Sequence, residues 1–292
     1  ALTLAAADLL GIAQSRIATL DVFVAAWTAA CIWCALRYVQ SARSPWWLVA
    51  CGLAGGLAVA TKWSGALALV AAAVLFALGG RVAGLTPRRP GGPAGPVAPT
   101  TWVWKADART GGSLPALARE IGVTALALVA LPAAVYLASY VPYFADGHSW
   151  AHFRELHSQM WHFNTTLSAP HSYASAAPTW IFDYRPVWYS FVDEGDYRGV
   201  VAMGNPFLWW TAVAALVAAP VLALWRRVTL PLAPAVLALA LYLPWLATTR
   251  TSFLYYMTPV APFLAILLAA LAAALVAKAA PASRWTLVGP GV

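Results

Sequence analysis

All five histidines of this chain, His148, His152, His157, His162 and His171, fall within residues 142–205. The same segment holds Trp150, Trp161, Tyr173, Trp180, Trp188 and Tyr189, together with Asp183, Arg185, Asp193, Glu194, Asp196 and Arg198. Imidazole and carboxylate groups in that density offer proton transfer, guanidinium groups offer anion binding, and indole and phenol faces offer stacking. His148 and His152 have the i, i+4 spacing that puts two ligands on one helix face, but no recognisable ligand set completes them, so no metal is expected.

The remaining groups of chemical interest stand at the ends of apolar runs. Arg16 is followed five residues later by Asp21, either as an interfacial pair with a helix-start acid or as part of a site. Lys62 reads as a snorkelling anchor or, with Arg16, Arg185 and Arg250, as a cationic pocket for the phosphate of a lipid-linked substrate. Asp8 lies inside an apolar stretch, where it faces a pocket or pairs with a neighbouring span. Cys31 and Cys34 have C-x-x-C spacing and Cys51 lies nearby, but all three sit in or beside apolar runs and are read as packing residues.

What must position these groups is a set of membrane helices. Of the 292 residues, 62% are hydrophobic and 10% charged, with a mean hydropathy of +0.71, which excludes an ordinary soluble domain. Runs near the roughly 20 residues that cross a bilayer cover about 18–38, 121–140, 206–225, 230–248 and 255–277. Two shorter runs flank Lys62 and are expected to meet at a membrane surface there, and residues 1–13 read as the end of a further span. Lys and Arg are retained on the cytoplasmic side. With residues 81–119 placed there, that face collects 12 of the 18 basic residues and leaves eight of the ten acids opposite. The net charge of +8 is thus a topology signal, and no nucleic-acid partner is expected. The organisation expected is a transmembrane block over 1–80 with its first span partial, a Pro/Gly-rich cytoplasmic loop over 81–119, a span over 120–141, an extracytoplasmic substrate loop over 142–205 carrying short amphipathic helices, and a block of three spans over 206–292.

Five motifs carry a resemblance: SRIATLD at 15–21, GLAVATKWSG at 56–65, HSYAS at 171–175 with Trp180 and RPVWY at 185–189, GNP at 204–206 with Trp209 and Trp210, and FLYYMTP at 253–259 with Pro262 and Phe263. In order and content they resemble the protein O-mannosyltransferases, and the short 142–205 loop, with no room for MIR domains, resembles the bacterial, actinobacterial-type branch. The resemblance implies an all-α GT-C helix bundle in the plasma membrane, multi-pass, that moves mannose from polyprenyl-phosphate-mannose to Ser/Thr hydroxyls of translocating proteins at the extracytoplasmic face. The partners it implies are that donor, the acceptor proteins with the secretion translocon behind them, and membrane lipids; no cofactor is expected. Donor phosphate would be held by Arg16, Lys62, Arg185 and Arg250, acceptor or sugar by His171, Tyr173, Trp180 and Trp188, with Asp8, Asp21 and Asn205 in support. The family's catalytic acid belongs to an Asp-Glu motif before the third span, and the chain opens inside an apolar run, so that acid is expected upstream of Ala1. Ser172 departs from the family's frequent Pro at that turn.

Three competing readings stay open: a GT-C transferase with a lipid or glycan acceptor, a multispan transporter with ionisable groups near the bilayer midplane, and a fragment inactive without the upstream acid. The topology carries its own test. A cysteine introduced at Ser149 should react with an impermeant thiol reagent in intact cells and one at Gly92 should not; the reverse pattern would overturn the orientation.

Overall fold

The computed structural model describes residues 1–41, 44–82, 114–226 and 230–279. Most of the proline-rich loop expected over 81–119, and the Arg43, Arg227 and Arg284 charges used for orientation, lie outside the described residues. The chain opens with two short helices, α1 (Leu2–Ala6) and α2 (Leu9–Arg16), where the sequence suggested one span end. The break falls at Asp8, whose carboxylate caps α2 by accepting the Gly11 backbone N–H at 3.2 Å.

The bundle then forms from α3 (Leu20–Gln40), α4 (Pro45–Thr61), α5 (Ala66–Val82), α6 (Leu114–Ala125) and α7 (Leu131–Ala138). Asp21 lies in the first turn of α3 and Arg37 in its last, each complementing the helix dipole. Pro45 opens α4 where its missing N–H costs nothing. Lys62 takes an extended backbone that stops α4, and the short turn Trp63–Gly65 leads into α5. A Cβ on Gly65 would collide with the Ala58 backbone, so this turn needs glycine. A π-helical turn, Leu126–Ala130, joins α6 to α7 just before Pro132. The extra residue absorbs the hydrogen bond and the space that proline denies to a regular helix.

After a surface segment containing α8 (Val141–Ala145), α9 (Trp150–Thr166) and α10 (Ala177–Trp180), two antiparallel strands, β1 (Val187–Asp193) and β2 (Tyr197–Ala202), form a hairpin. The expectation for this loop was amphipathic helices alone; α9 is one, and the hairpin is an addition. Its signal was present in the β-branched and aromatic run of β1 and in Gly195, which has φ +89° at the tip. The bundle closes with α11 (Pro206–Arg226), α12 (Leu232–Tyr242) and α13 (Ala261–Ala279).

Among the described residues three helices, Leu20–Gln40, Ala118–Ala138 and Pro206–Trp225, are long and apolar enough to cross a membrane, and Pro45–Thr61, Trp63–Leu78, Leu232–Ala247 and Ala261–Val276 are shorter apolar helices. The protein is an α-helical polytopic membrane protein. One buried cluster gathers Trp180, Trp209, Leu241, Leu254, Met257 and Leu264; a second joins α3, α4 and α5 through Cys31, Cys51, Ala58, Ala72 and Leu75. The closest thiols are Cys31 and Cys51, with Sγ atoms 3.6 Å apart, rather than the C-x-x-C pair.

Gly52 and Gly56, one helical turn apart, let α4 press against the α6–α7 helix, since small residues are what allow close backbone approach in membranes. A Cβ at Gly52 would collide with the Ala127 carbonyl oxygen, and one at Gly56 would come 2.7 Å from the Val135 Cβ. Gly122 has nothing within 4 Å of a Cβ position. Gly52→Val should therefore lower the unfolding temperature of the detergent-solubilised protein by roughly 6–12 °C, as overpacking a fixed backbone costs about 3 kcal/mol, whereas Gly122→Val should leave it within about 2 °C. Equal effects at the two positions would refute close packing of α4 on α7.

Candidate functional site

Asp21 and Lys62 come from opposite ends of neighbouring helices, and the fold brings them to one level: Lys62 Nζ lies 2.8 Å from Asp21 Oδ1, with side chains 24% and 10% exposed. Both charges sit at helix ends of complementary sign, Asp21 in the first turn of α3 and Lys62 just past α4. The ammonium also lies 4.4 Å over the Tyr256 ring. Arg250 approaches the same ring at 5.6 Å and donates to the Tyr256 hydroxyl at 3.2 Å and to Asn164 Oδ1 at 2.9 Å. Both of those acceptors are neutral, so Arg250 holds its charge toward the space beside it.

That space is a cavity of about 220 Å³ lined by the 59–64 turn, Tyr136, Tyr140, Met160, Asn164 and Arg250. Its lining combines two cations, Lys62 and Arg250, with the aromatic side chains of Trp63, Tyr136 and Tyr140. The aromatic wall is held by a directed hydrogen-bond chain. The Phe153 carbonyl can only accept, so His157 Nδ1 donates to it at 2.8 Å, and in the neutral ring Nε2 is left as acceptor. The Tyr136 hydroxyl donates to that Nε2 at 2.7 Å. Its oxygen in turn receives the Trp63 Nε1–H at 2.8 Å and the Tyr140 hydroxyl at 3.1 Å. His157 thereby fixes Trp63 beside Lys62 and pins α9 across the end of α7. Sequence reasoning grouped His157 with the other histidines and did not single it out.

The expected site residues separate. Lys62 and Arg250 line one cavity and Asp21 pairs with Lys62 rather than with Arg16. Arg16 is exposed at the end of α2 and Arg185 is exposed, donating to the Ala174 carbonyl at 3.2 Å and lying 5.6 Å from the Tyr184 ring. Neither lines that cavity, so the four-cation pocket reduces to two. Trp180 is 0% exposed; its Nε1–H donates to the Ser175 carbonyl at 3.0 Å and its ring packs edge-on to Trp245 and Tyr256. A ring with no exposed face offers no stacking surface, and Trp180 is corrected to a core residue beneath the site. His171 is exposed, with Nδ1 accepting the Tyr173 N–H and its ring edge-on to Phe253 at 5.1 Å. Tyr173 is half-buried beside it, and Trp188 is 42% exposed on β1. Two of the other histidines are engaged locally: His148 stacks on Tyr143 and His152 completes the capping box of α9. Among the described residues no three His, Cys, Asp or Glu side chains come together.

Asp8 and Asn205 serve the scaffold. The Asp8 carboxylate accepts the Asn205 N–H at 3.2 Å and the Trp209 Nε1–H at 3.0 Å, and Asn205 Nδ2 donates to the Ala7 carbonyl at 2.9 Å. These bonds tie the α1–α2 break to the start of α11. Asp183 joins the same junction by accepting the Gly204 N–H at 2.6 Å, while its Oδ2 is buried without a partner. Burial pushes the Asp183 carboxyl up to about 6; the Gly204 bond opposes this and the nearby Asp8 charge adds to it.

Two family models match the chain. The one described as dolichyl-phosphate-mannose-protein mannosyltransferase covers residues 1–146, and the one described as the C-terminal four TMM region of protein-O-mannosyltransferase covers 149–288. The chain is 28% identical to the polyprenol-phosphate-mannose–protein mannosyltransferase of Mycolicibacterium smegmatis (strain ATCC 700084 / mc(2)155), over 90% of this chain and 58% of that protein. It is 29% identical to the protein of the same name from Mycobacterium tuberculosis (strain ATCC 25618 / H37Rv), over 75% and 45%. It is 39% identical to dolichyl-phosphate-mannose–protein mannosyltransferase 1 of Saccharomyces cerevisiae (strain ATCC 204508 / S288c), over 21% and 7%. The match thus covers little more than half the length of the Mycolicibacterium smegmatis relatives and less than half that of the others. No solved structure matches it.

Asp183 gives a pH signature. Its folded pKa is raised, so the stability it contributes is complete below the unfolded value of 3.8 and is lost as pH rises through about 6. Asp183→Asn keeps an acceptor for Gly204 and cannot ionise. The variant should melt higher than the parent at pH 7.5 and lose that advantage by pH 4. A variant less stable than the parent at both pH values would show that the ionised carboxylate is the stabilising form.

Proposed function

The chain belongs to the dolichyl-phosphate-mannose-protein mannosyltransferase family, and from that premise we propose that the protein transfers mannose from polyprenyl-phosphate-mannose to Ser or Thr hydroxyls of secreted and membrane proteins, at the extracytoplasmic face of the plasma membrane. The observation that carries the reading to residues is a cavity whose lining joins two cations to three aromatic side chains. Lys62 and Arg250 both line the cavity and both lie against the Tyr256 ring, which suits a phosphodiester that must be held by charge-assisted bonds as its sugar leaves. Trp63, Tyr136 and Tyr140 line the same cavity, where their rings suit a pyranose and the Tyr140 oxygen, which donates its own proton to Tyr136, remains free to accept a sugar hydroxyl. Arg250 is the stronger phosphate ligand in this assignment, because Lys62 shares its charge with Asp21. Asp21 is occupied by that pair and is not proposed as the base that takes the acceptor proton. The charge asymmetry of the sequence supports the extracytoplasmic face. Translocating polypeptides, delivered by the secretion machinery, are the proposed acceptors.

A polyprenyl-phosphate donor with a lipid or glycan acceptor is the second reading, and acceptor identity separates the two. The full-length protein, reconstituted with polyprenyl-phosphate-mannose and a Ser/Thr peptide, should form mannosyl peptide. Arg250→Gln should lower kcat/KM for the donor by about 30- to 100-fold, the scale of one or two lost bonds to a charged group. His171→Ala should instead raise KM for the peptide and leave donor binding within about twofold. Transfer only to a lipid or glycan would favour the second reading, and an unchanged donor dependence in Arg250→Gln would remove the cavity from the donor site.

A further inference from the structure

The cavity leaves the hairpin unexplained. In a regular strand Trp188 and Phe191, three residues apart, stand on opposite faces. Here the register shifts between Trp188 and Ser190, so that Tyr189 is an extra, bulged residue. The bulge changes the phase of the strand, and the Trp188 and Phe191 rings meet edge to face at 5.5 Å. Phe191 also stacks on Tyr197 across the hairpin at 6.2 Å. Gly199 makes room for the indole: a Cβ there would come 2.6 Å from the Trp188 ring. The outcome is a continuous row of three aromatic rings, 42%, 57% and 78% exposed.

The bulged Tyr189 points instead to the bundle. Its hydroxyl accepts Gln14 Nε2 at 3.2 Å and its ring lies 6.0 Å from Tyr255, which with Tyr256 lies beneath Lys62. The root of the hairpin is therefore fastened beside the rings that underlie Lys62. Its far end carries Asp193, Glu194 and Asp196, all exposed, against one base, Arg198, 3.5 Å from Asp196 and itself 79% exposed. Among the described residues no third strand pairs with either outer edge of the hairpin.

We propose that this hairpin is the docking platform for the extended acceptor polypeptide, the aromatic row covering its main chain and apolar side chains and the acidic tip selecting basic residues that flank the modified Ser or Thr. The proposal rests on the mannosyl-transfer reading for the identity of the acceptor. An open strand edge supplies main-chain hydrogen bonds to any extended segment, and exposed aromatic rows are characteristic of interface cores. Charge decides between a polypeptide and the bilayer surface: three carboxylates repel anionic headgroups and attract lysine or arginine. Continuity with the site decides direction, because a chain lying along the hairpin is led from its tip to Tyr189 and the Lys62 cavity.

The test measures binding apart from transfer. Two fluorescent Ser/Thr peptides, identical except for lysine or glutamate flanks, are titrated onto the protein in nanodiscs of neutral lipid. The lysine peptide should bind about tenfold more tightly than the glutamate peptide, the scale of two or three exposed charge pairs. The Asp193→Asn/Glu194→Gln/Asp196→Asn variant, whose changes are isosteric and exposed, should reduce that ratio to below about twofold. Phe191→Ser/Tyr197→Ser should weaken both peptides alike. Equal binding of the two peptides by the parent, a ratio that survives neutralisation of the tip, or a double serine variant that loses only adhesion to vesicles of anionic lipid would each overturn the proposal. Charge-selective binding without any mannosyl transfer would leave the hairpin as a polypeptide dock and defeat the transfer reading alone.

Discussion

The contact between Lys62 and Asp21 is the constraint from which the rest of the site follows. An ammonium and a carboxylate this far withdrawn from water favour one another, because removing either would leave the other partly buried and charged without compensation. The pair fixes the relative height of α3 and α4, and with it the turn that carries Trp63. Tyr256 closes the arrangement from the third side, its ring under Lys62 and its hydroxyl held by Arg250. Three segments distant in sequence thereby share one electrostatic centre.

The surface segment is fitted to that centre by its backbone as much as by its side chains. The Ser175 N–H donates to the Ser252 carbonyl at 2.9 Å, Ser252 Oγ returns a bond to the Ser175 carbonyl at 3.0 Å, and the Thr251 N–H donates to the Leu167 carbonyl at 3.1 Å. These bonds hold the 250–253 turn against the loop that follows α9, which is why Arg250 reaches Asn164 near the end of that helix. Loops built this way position chemistry on a rigid support. The buried Trp180 belongs to the support, filling the space under the turn.

Family membership and residue roles are different kinds of conclusion in this protein. Membership follows from matches that together run nearly the length of the chain. The roles follow from which groups share a cavity, and there the aromatic motifs divide by burial: Trp180 and Trp209 are 0% exposed, whereas Trp188 is 42% exposed. A motif search weighs these tryptophans alike, although only an exposed ring can receive a ligand.

Much of the bundle was legible in the sequence because its cause is local. Apolar runs near the length of a bilayer declare themselves by composition, and the charge at Lys62 divides the stretch between residues 46 and 78 into two helices, whereas Asp8 in an apolar run signals a pocket or a partner and not the helix break it makes. Long-range choices were not legible. Nothing in the spacing of Arg16, Lys62, Arg185 and Arg250 says that only two of the four meet at the cavity, that Asp21 chooses a lysine 41 residues away over an arginine five residues before it, or that His157 alone of five histidines lies behind the cavity wall. Those choices depend on the crossing of helices, set by Gly52 and Gly56 where α4 meets α7 and by the bulge at Tyr189 that turns the hairpin's aromatics to one face. Periodicity determines which residues lie on one helix face or one strand face; only packing decides which faces meet.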